Sequence, residues 1–277
     1  MVVIGNGMVG HKLVELLNDS GHEYAITVFS EEPRLAYDRV HLSAFFAGTT
    51  AEDLALTNAA QYESWKVFAH VATPVARIDR EQRLVLTADG QSFQYDTLVL
   101  ATGSYPFVPP IPGNDGEHCH VYRTIEDLTG MRASGSTSEV GVVVGGGLLG
   151  LEAANALRNM ALETHVVEFA PRLMSVQIDE GGGGMLRRKV ESLGLTVHTG
   201  RNTAAITAGE QRRYRMNFTD GSGLETDMIV FSAGIRPRDN LARECGLEVG
   251  ERGGIVIDDS CRTSDPAIYA IGECALW

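Results

Sequence analysis

Two glycine-rich turns constrain the fold of this chain more than any other feature of its sequence. They are Gly5-Asn6-Gly7-Met8-Val9-Gly10 and Gly145-Gly146-Gly147-Leu148-Leu149-Gly150, and each follows a short apolar run and precedes an amphipathic segment. In such a turn the first glycine permits the tight bend, the second lets a pyrophosphate approach the backbone, and the third lets the helix pack on the strand. The N–H groups that open the helix then face the phosphate. One copy is a weak signal, but two copies predict two dinucleotide-binding units.

A dinucleotide-binding fold also places an acidic residue at the end of its second strand, where the carboxylate accepts hydrogen bonds from the adenosine ribose. In the second half, Glu168 directly follows the strand predicted at 164–167. In the first half, Ser30 follows the strand predicted at 24–29, and Glu31 and Glu32 come next. We predict that Glu31 has this role; the alternative is that both acids are exposed loop residues.

The order of segments predicts an α/β protein with two Rossmann-like dinucleotide-binding domains, the second inserted into the first. Residues 71–94 look like a small antiparallel insertion with a turn at Ala88-Asp89-Gly90. The proline-rich run 106–113 reads as an extended linker. We therefore predict a first domain from residues 1–107 and 231–277 and an inserted domain at 108–230. A basic amphipathic helix is predicted at 185–192, after four glycines that suggest no chemistry.

The amino-acid composition of the chain limits the classes of partner that it can bind. The net charge of −13 argues against nucleic acid or an anionic membrane as a partner. No apolar run has the length needed to cross a bilayer. The four cysteines are scattered, which indicates free thiols in a reducing compartment and a cytoplasmic location. His118-Cys119-His120 lacks a further ligand at useful spacing, so we predict no metal site.

Further motifs carry a resemblance to a known fold. With Ala101-Thr102-Gly103 and Tyr269-Ala-Ile-Gly272-Glu273, the chain resembles the two-dinucleotide flavoproteins of the disulfide-reductase type over its whole length. The resemblance implies FAD at the first turn and NAD(P)H at the second. It also implies that Glu273 bonds the ribityl chain of the flavin, although the family usually has aspartate there.

Longer strings narrow the resemblance to the large subunit of NADH-dependent, assimilatory-type siroheme nitrite reductase. They are Ile4-Gly-Asn-Gly-Met-Val-Gly-His11, Glu32-Pro-Arg-Leu-Ala-Tyr-Asp-Arg-Val-His-Leu-Ser43, Ala101-Thr-Gly-Ser-Tyr-Pro106 and Val144-Gly-Gly-Gly-Leu-Leu-Gly-Leu-Glu-Ala153. After Leu42-Ser43, related NADH oxidases and peroxidases have a redox cysteine, and ring-hydroxylating ferredoxin reductases have lysine. This chain has Ala44. The resemblance therefore implies that electrons pass from the flavin to another centre without a protein thiol.

The resemblance implies a hydride transfer from NADH to FAD and then electron transfer to iron–sulfur and siroheme centres, expected only in a full-length protein. It also implies NADH as partner, a possible small subunit, and a homo-oligomer in the full-length form. Since no cysteine set for those centres is present, we expect this chain to be part of a longer protein. The family continues after residue 277 with a helix whose N-terminus faces the flavin, so the resemblance also implies that this chain alone holds FAD weakly. The alternatives are a stand-alone NADH-dependent ferredoxin or rubredoxin reductase and a non-catalytic nucleotide-binding redox sensor.

The predicted binding residues divide between the two cofactors, and no catalytic acid or base is expected, since hydride transfer depends on proximity and alignment. By resemblance, Glu152 contacts the nicotinamide carboxamide; alternatively, it is a first-turn acid that complements the helix dipole. The full set of predicted cofactor-binding residues is Gly5, Asn6, Gly7, Met8, Val9, Gly10, Glu31, Arg39, Val75, Ala101, Thr102, Gly103, Gly145, Gly147, Leu148, Leu149, Gly150, Glu152, Glu168, Gly234, Gly272 and Glu273.

Overall fold

The computed structural model describes all residues from Met1 to Trp277. The chain divides into two compact units. The first unit consists of Met1–Arg39, Ala51–Tyr105 and Arg236–Trp277, and the second consists of Val40–Thr50 and Pro106–Ile235. The second unit is thus inserted into the first along the chain.

Helices and strands are numbered along the chain. The strands are β1 (Val2–Ile4), β2 (Ile26–Phe29), β3 (Val67–His70), β4 (Val75–Asp79), β5 (Leu84–Thr87), β6 (Ser92–Gln94), β7 (Leu98–Leu100), β8 (Ser104–Pro106), β9 (Cys119–Val121), β10 (Val140–Val144), β11 (Glu163–Glu168), β12 (Thr196–Thr199), β13 (Thr203–Ala208), β14 (Tyr214–Phe218), β15 (Gly223–Thr226), β16 (Met228–Phe231), β17 (Ile235–Pro237), β18 (Ile255–Val256), β19 (Ile268–Ala270) and β20 (Ala275–Leu276). The helices are α1 (Met8–Asp19), α2 (Ala59–Ser64), α3 (Ile125–Gly135), α4 (Leu148–Asn159), α5 (Glu180–Ser192) and α6 (Asn240–Glu244), with 3₁₀ turns at Leu42–Ala47 and Gly272–Cys274. None of the helices combines the length and the apolar character that crossing a membrane requires.

The first unit is built on a five-stranded parallel sheet in the order β19-β7-β1-β2-β3. Its central strands are short apolar runs without polar alternation, as expected where both faces of a parallel sheet are covered. All three residues of β1 and all three of β7 are buried. The predicted antiparallel insertion is confirmed as the three-stranded sheet β4-β5-β6, which lies along the chain between β3 and β7.

The second unit repeats this plan. Its parallel sheet has the order β12-β11-β10-β16-β9, so that β10, β11, β12 and β16 occupy the places of β1, β2, β3 and β7. A three-stranded antiparallel sheet, β13-β14-β15, again precedes the strand that returns to the central sheet. The duplication seen in the two glycine turns therefore extends to four strands of each parallel sheet and to the antiparallel sheet, whereas the fifth strand precedes the turn in the second unit (β9) and comes last in the first (β19).

One predicted boundary is wrong. The four glycines at 181–184 lie inside α5, which begins at Glu180 and not at Met185. Glycine costs about 1 kcal/mol in a helix interior, but Asp179 offsets part of that cost because its carboxylate accepts a hydrogen bond from the N–H of Gly182 at 2.8 Å. A β-carbon at Gly183 would come within 3.0 Å of the Arg172 side chain, so that position favours glycine for packing.

Candidate functional site

The first glycine turn connects β1 to α1, and each of its three glycines has a different surrounding. At Gly5 φ is +110°, and a β-carbon would lie 2.6 Å from the carbonyl carbon of Ala101. At Gly10 it would lie 3.2 Å from the carbonyl carbon of Gly5 and nearer still to the oxygen. At Gly7 the nearest atom is Arg39 Nε, at 4.0 Å. Two glycines are therefore required by close packing, while the third leaves an open space above the backbone.

The second turn, between β10 and α4, has the same three surroundings. Gly145 has φ +122°, and a β-carbon there would lie 2.6 Å from the carbonyl carbon of Ser232. At Gly150 it would lie 2.9 Å from the carbonyl carbon of Gly145. At Gly147 nothing lies within 4 Å. The residues that precede the two helices also share one conformation, with φ/ψ of −83°/−171° at Gly7 and −80°/−175° at Gly147.

The N-termini of α1 and α4 carry no side-chain cap and no acidic residue in the first turn. Of the other helices, α2, α3 and α5 are capped by the side chains of Asn58, Thr124 and Asp179. The five-residue α6 has no side-chain cap either, but Asp239 and not glycine precedes it. Uncapped N–H groups and the positive end of a helix dipole together attract an anion. The open space at Gly7 and Gly147 gives a phosphate access to them, so both turns fit the pyrophosphate of a dinucleotide.

Glu168 lies against the second turn. One carboxylate oxygen accepts a hydrogen bond from the N–H of Gly146, and the other accepts from the N–H of Ala170 at 2.6 Å. The acid at the end of β11 is thus held beside the phosphate loop, in the position expected for a ribose contact.

The acids after β2 are arranged differently. Glu31 is exposed and forms an ion pair with Arg238. Glu32 forms an ion pair with Arg39 and accepts a hydrogen bond from the Tyr37 hydroxyl at 2.7 Å. Because Arg39 is also the side chain nearest to Gly7, the structure links Glu32 to the first turn through Arg39.

Other predicted residues of the first unit lie at the carboxyl ends of the neighbouring strands. Ala101, Thr102 and Gly103 directly follow β7, and Ala101 packs against the turn at Gly5 and Gly10. The Thr102 hydroxyl donates to the carbonyl of Arg238 at 2.6 Å. The carboxyl ends of β1 and β7 therefore meet, as at the ligand-binding edge of an open α/β sheet.

Gly272 and Glu273 follow β19, the strand beside β7. Gly272 has φ +77°, and a β-carbon there would contact the side chain of Val9 at 3.2 Å, which places it beside the first turn of α1. Glu273 accepts a hydrogen bond from the Ser104 hydroxyl at 2.8 Å. Ser104 is not among the residues predicted from the sequence, although it follows Gly103 directly.

Five other predicted residues remain to be placed. Val75 begins β4, and Thr73 just before it donates its N–H to the carbonyl of Ser30 at 2.8 Å, at the end of β2. Gly234, beyond β16, has φ +112° and open space where a β-carbon would lie. Met8, Leu148 and Leu149 belong to the first turns of α1 and α4, where no side-chain oxygen competes for the backbone N–H groups.

Glu152 lies in the second turn of α4 and is partly buried, so the alternative that it is a first-turn acid is wrong. Burial raises its pKa. Burial, and then the charge of Glu152, raises the pKa of Tyr122, whose hydroxyl is buried without a hydrogen-bond partner. Tyr122 follows β9 and was not predicted, because no local pattern links it to α4. The pair places a proton donor and a carboxylate together in the second unit.

Burial reduces the reactivity of three of the four thiols. Cys274 is fully buried, and its Sγ donates to the carbonyl of Leu100 at 3.3 Å. Burial raises the pKa of Cys119 and of Cys245, which favours their neutral form at pH 7. A neutral, enclosed thiol is a poor nucleophile.

Comparison with known proteins supports the resemblance. Residues 1–277 match the family described as pyridine nucleotide-disulphide oxidoreductase. The chain is 55% identical over 280 residues to the nitrite reductase (NADH) large subunit of Escherichia coli (strain K12), with all of this chain and 33% of that protein covered. It is 31% identical over 277 residues to a rubredoxin-NAD(+) reductase of Alcanivorax borkumensis, covering 99% of this chain and 72% of that protein. The chain spans about a third of the length of the nitrite reductase relatives that it matches.

Solved structures agree with the fold. Putidaredoxin reductase, in its covalent complex with putidaredoxin, matches with a TM-score of 0.91 at 28% identity, over 99% of this chain and 67% of that one. An NAD-dependent persulfide reductase from A. fulgidus matches with a TM-score of 0.93 at 29% identity, over 99% and 52%. The predicted α/β class with two Rossmann-like units is confirmed, and so is the resemblance to nitrite reductase large subunits. The chain belongs to the pyridine nucleotide-disulphide oxidoreductase family.

Proposed function

We propose that this chain is the NADH:FAD electron-transfer module of a nitrite reductase. The observation that carries the proposal is the pair of open phosphate loops, each at an uncapped helix N-terminus. Two such loops fit two dinucleotides, and the 55% identity to a nitrite reductase large subunit favours that enzyme over other members of the family. The rubredoxin reductase alternative has less support, since that relative is 31% identical.

The first unit would hold FAD. Gly5, Gly7 and Gly10 shape the pyrophosphate loop, and Arg39 lies nearest to its open side. Ala101, Thr102 and Gly103 line the neighbouring strand end, and Glu273 would bond the ribityl chain. For the ribose we retain Glu31, although Glu32 is the acid joined to Arg39. Val75, Asn6, Met8, Val9 and Gly272 complete the proposed surroundings.

The second unit would hold NADH. Gly145, Gly147 and Gly150 shape its loop, and Glu168 would accept from the free ribose hydroxyls. Glu152 would bond the nicotinamide carboxamide, with Leu148, Leu149 and Gly234 nearby along the nucleotide. When both are bound, the nicotinamide supplies a hydride and the flavin supplies the two-electron to one-electron conversion. The protein binds and aligns them.

The remaining partners follow from the same proposal. Iron–sulfur and siroheme centres elsewhere in a full-length nitrite reductase would take the electrons, with a small subunit as a further partner and a homo-oligomer as the assembled form. Domain boundaries at 107/108 and 230/231 and a cytoplasmic location belong to this proposal too. The four free cysteines support a reducing compartment.

An anaerobic titration tests the proposal. The chain is loaded with FAD, NADH is added, and the visible flavin absorbance is followed; we expect bleaching and then electron transfer to an artificial one-electron dye. Nitrite added alone should not be consumed. Bound FAD that NADH cannot bleach would favour the redox-sensor alternative. Nitrite turnover by the chain alone would contradict the proposal that nitrite is reduced at centres elsewhere in a full-length protein.

A further inference from the structure

A buried chain of three side chains lies behind the first phosphate loop. The hydroxyl of Tyr62, on α2, donates to Asn6 Oδ1 at 2.8 Å and lies 3.0 Å from His11 Nδ1. All three residues are at least nine-tenths buried, with exposed fractions of 7% for Asn6, 7% for His11 and 2% for Tyr62. The rings of His11 and Tyr62 are also stacked, with centroids 5.7 Å apart. We call these three residues the loop anchor.

The number of available hydrogens determines which atom donates each hydrogen bond in the loop anchor. A tyrosine hydroxyl has one hydrogen, and here it goes to Asn6 Oδ1. The contact between the hydroxyl and His11 Nδ1 must then be donated by the imidazole, so Nδ1 carries a hydrogen. Burial lowers the pKa of His11, which favours the neutral imidazole, and the donor count assigns its one hydrogen to Nδ1.

The asparagine at the other end of the anchor stands between Gly5 and Gly7. Its Oδ1 is held by Tyr62, while its Nδ2 is buried with no hydrogen-bond partner. A buried amide with one group unpaired costs free energy. Without the Tyr62 hydroxyl, both amide groups would be unpaired, and Asn6 could relieve this only by moving the turn that contains it.

The second phosphate loop is held in another way. Gly146 stands where the first loop has Asn6, and its backbone N–H is bonded by Glu168. In the first unit the two acids after β2 are bonded to Arg238 and Arg39 instead. The duplicated loops therefore share their shape but not the group that fixes it: a carboxylate from the neighbouring strand in one, and the loop anchor in the other.

We propose that Tyr62 and His11 are positioning residues for the pyrophosphate of the dinucleotide in the first unit, and that they act through Asn6. This inference rests on the proposed binding of FAD there. The hydroxyl keeps Asn6, and with it the peptide groups of Gly5 and Gly7, in the conformation that leaves the loop open. Neither Tyr62 nor His11 is required to touch the ligand.

A double-mutant cycle on FAD affinity tests the inference, with flavin fluorescence as the signal. Tyr62→Phe and Asn6→Ala should each weaken FAD binding about tenfold, a difference of about 1.4 kcal/mol. Because Tyr62 acts through Asn6, Tyr62→Phe should add less than about a twofold effect in the Asn6→Ala background. The control is Tyr95→Phe, which removes a hydroxyl from another buried tyrosine of the same unit and should leave the affinity unchanged.

Two further measurements separate positioning from folding. The thermal transition of each ligand-free variant shows whether it folds, and Asn6→Ala keeps the inference testable if Tyr62→Phe does not. Nitrogen NMR of His11 should show the Nδ1–H tautomer in the parent and a shift towards Nε2–H in Tyr62→Phe. Unchanged FAD affinity in Tyr62→Phe, or effects that simply multiply in the double variant, would overturn the inference. A parent chain that binds no FAD would instead overturn the proposed function, and this inference with it.

Discussion

Adding one methyl group at Gly147 or at Gly150 should damage the second unit in two different ways. The two positions are three residues apart at the start of the same helix. A β-carbon at Gly150 would meet the backbone of Gly145, 2.9 Å from its carbonyl carbon and closer to the oxygen. A β-carbon at Gly147 would meet nothing within 4 Å. Gly150→Ala therefore tests packing, and Gly147→Ala tests access to the loop.

The expected sizes follow from these surroundings. Gly150→Ala forces the backbone of the loop or of α4 to shift, and overpacking of this kind costs about 1–3 kcal/mol. For a unit of this size, each kcal/mol lowers Tm by about 2–4 °C. Gly147 already has φ −80° and ψ −175°, which alanine adopts without strain. We expect Gly147→Ala to cost about 1 kcal/mol or less, the order of a weaker N-cap.

Binding should show the opposite order. The methyl group of Gly147→Ala occupies the space through which the pyrophosphate reaches the N–H groups of α4, so NADH affinity should fall at least about tenfold, or about 1.4 kcal/mol. Calorimetric titration with NADH and thermal denaturation by circular dichroism measure the two effects. Gly7→Ala is the matched control, because its methyl group lies in the first unit and should leave NADH affinity unchanged. Normal NADH affinity in Gly147→Ala, or a normal Tm in Gly150→Ala, would refute the reasoning.

Three other outcomes are expected. Because the Glu168 carboxylate lies beside the second loop and repels a 2′-phosphate, kcat/KM should favour NADH over NADPH by at least about tenfold, and equal values would count against this role. Alkylation of the cysteines should leave NADH-to-dye electron transfer largely intact, since Cys274 is fully buried; loss of activity with FAD still bound would implicate a thiol. Burial raises the pKa of Glu152, so this group favours the fold when protonated, below about pH 4, and loses that contribution as pH rises through its folded-state pKa. Glu152→Gln should therefore raise Tm at pH 7–8 and leave it unchanged near pH 4, and a uniform change would contradict the assignment.

Sequence alone was sufficient for the parts of the structure that local chemistry determines. The two glycine turns and their flanking strands could be placed because the adjacent strand end excludes a β-carbon at Gly5 and at Gly145. Glu168 could be placed at the end of a strand because it directly follows the predicted strand. The antiparallel insertion was also predictable, since alternation and a turn at Ala88-Asp89-Gly90 define it locally. The second antiparallel sheet, β13-β14-β15, was not predicted, although its position in the duplication matches that of the first.

Residues that act across long stretches of chain could not be predicted. Tyr62 is separated from Asn6 by 56 positions, and nothing near Tyr62 in the sequence indicates that its hydroxyl meets the first loop. Tyr122 likewise reaches the surroundings of Glu152 only through the sheet order. The start of α5 was misplaced because helix propensity disfavours four glycines, whereas the cap from Asp179 and packing on Arg172 decide the boundary.

The helix termini show how departures from a general rule mark function. A capping side chain typically contributes about 1 kcal/mol, and α2, α3 and α5 all have one. Helices α1 and α4 have glycine instead, in nearly identical conformations, in both halves of a duplicated fold. A side-chain oxygen at Gly7 or Gly147 would satisfy the helix N–H groups permanently and would also fill the space above the loop. Without a capping side chain the two helices are less stable in the free protein. A bound pyrophosphate can stabilise them by accepting hydrogen bonds from those N–H groups.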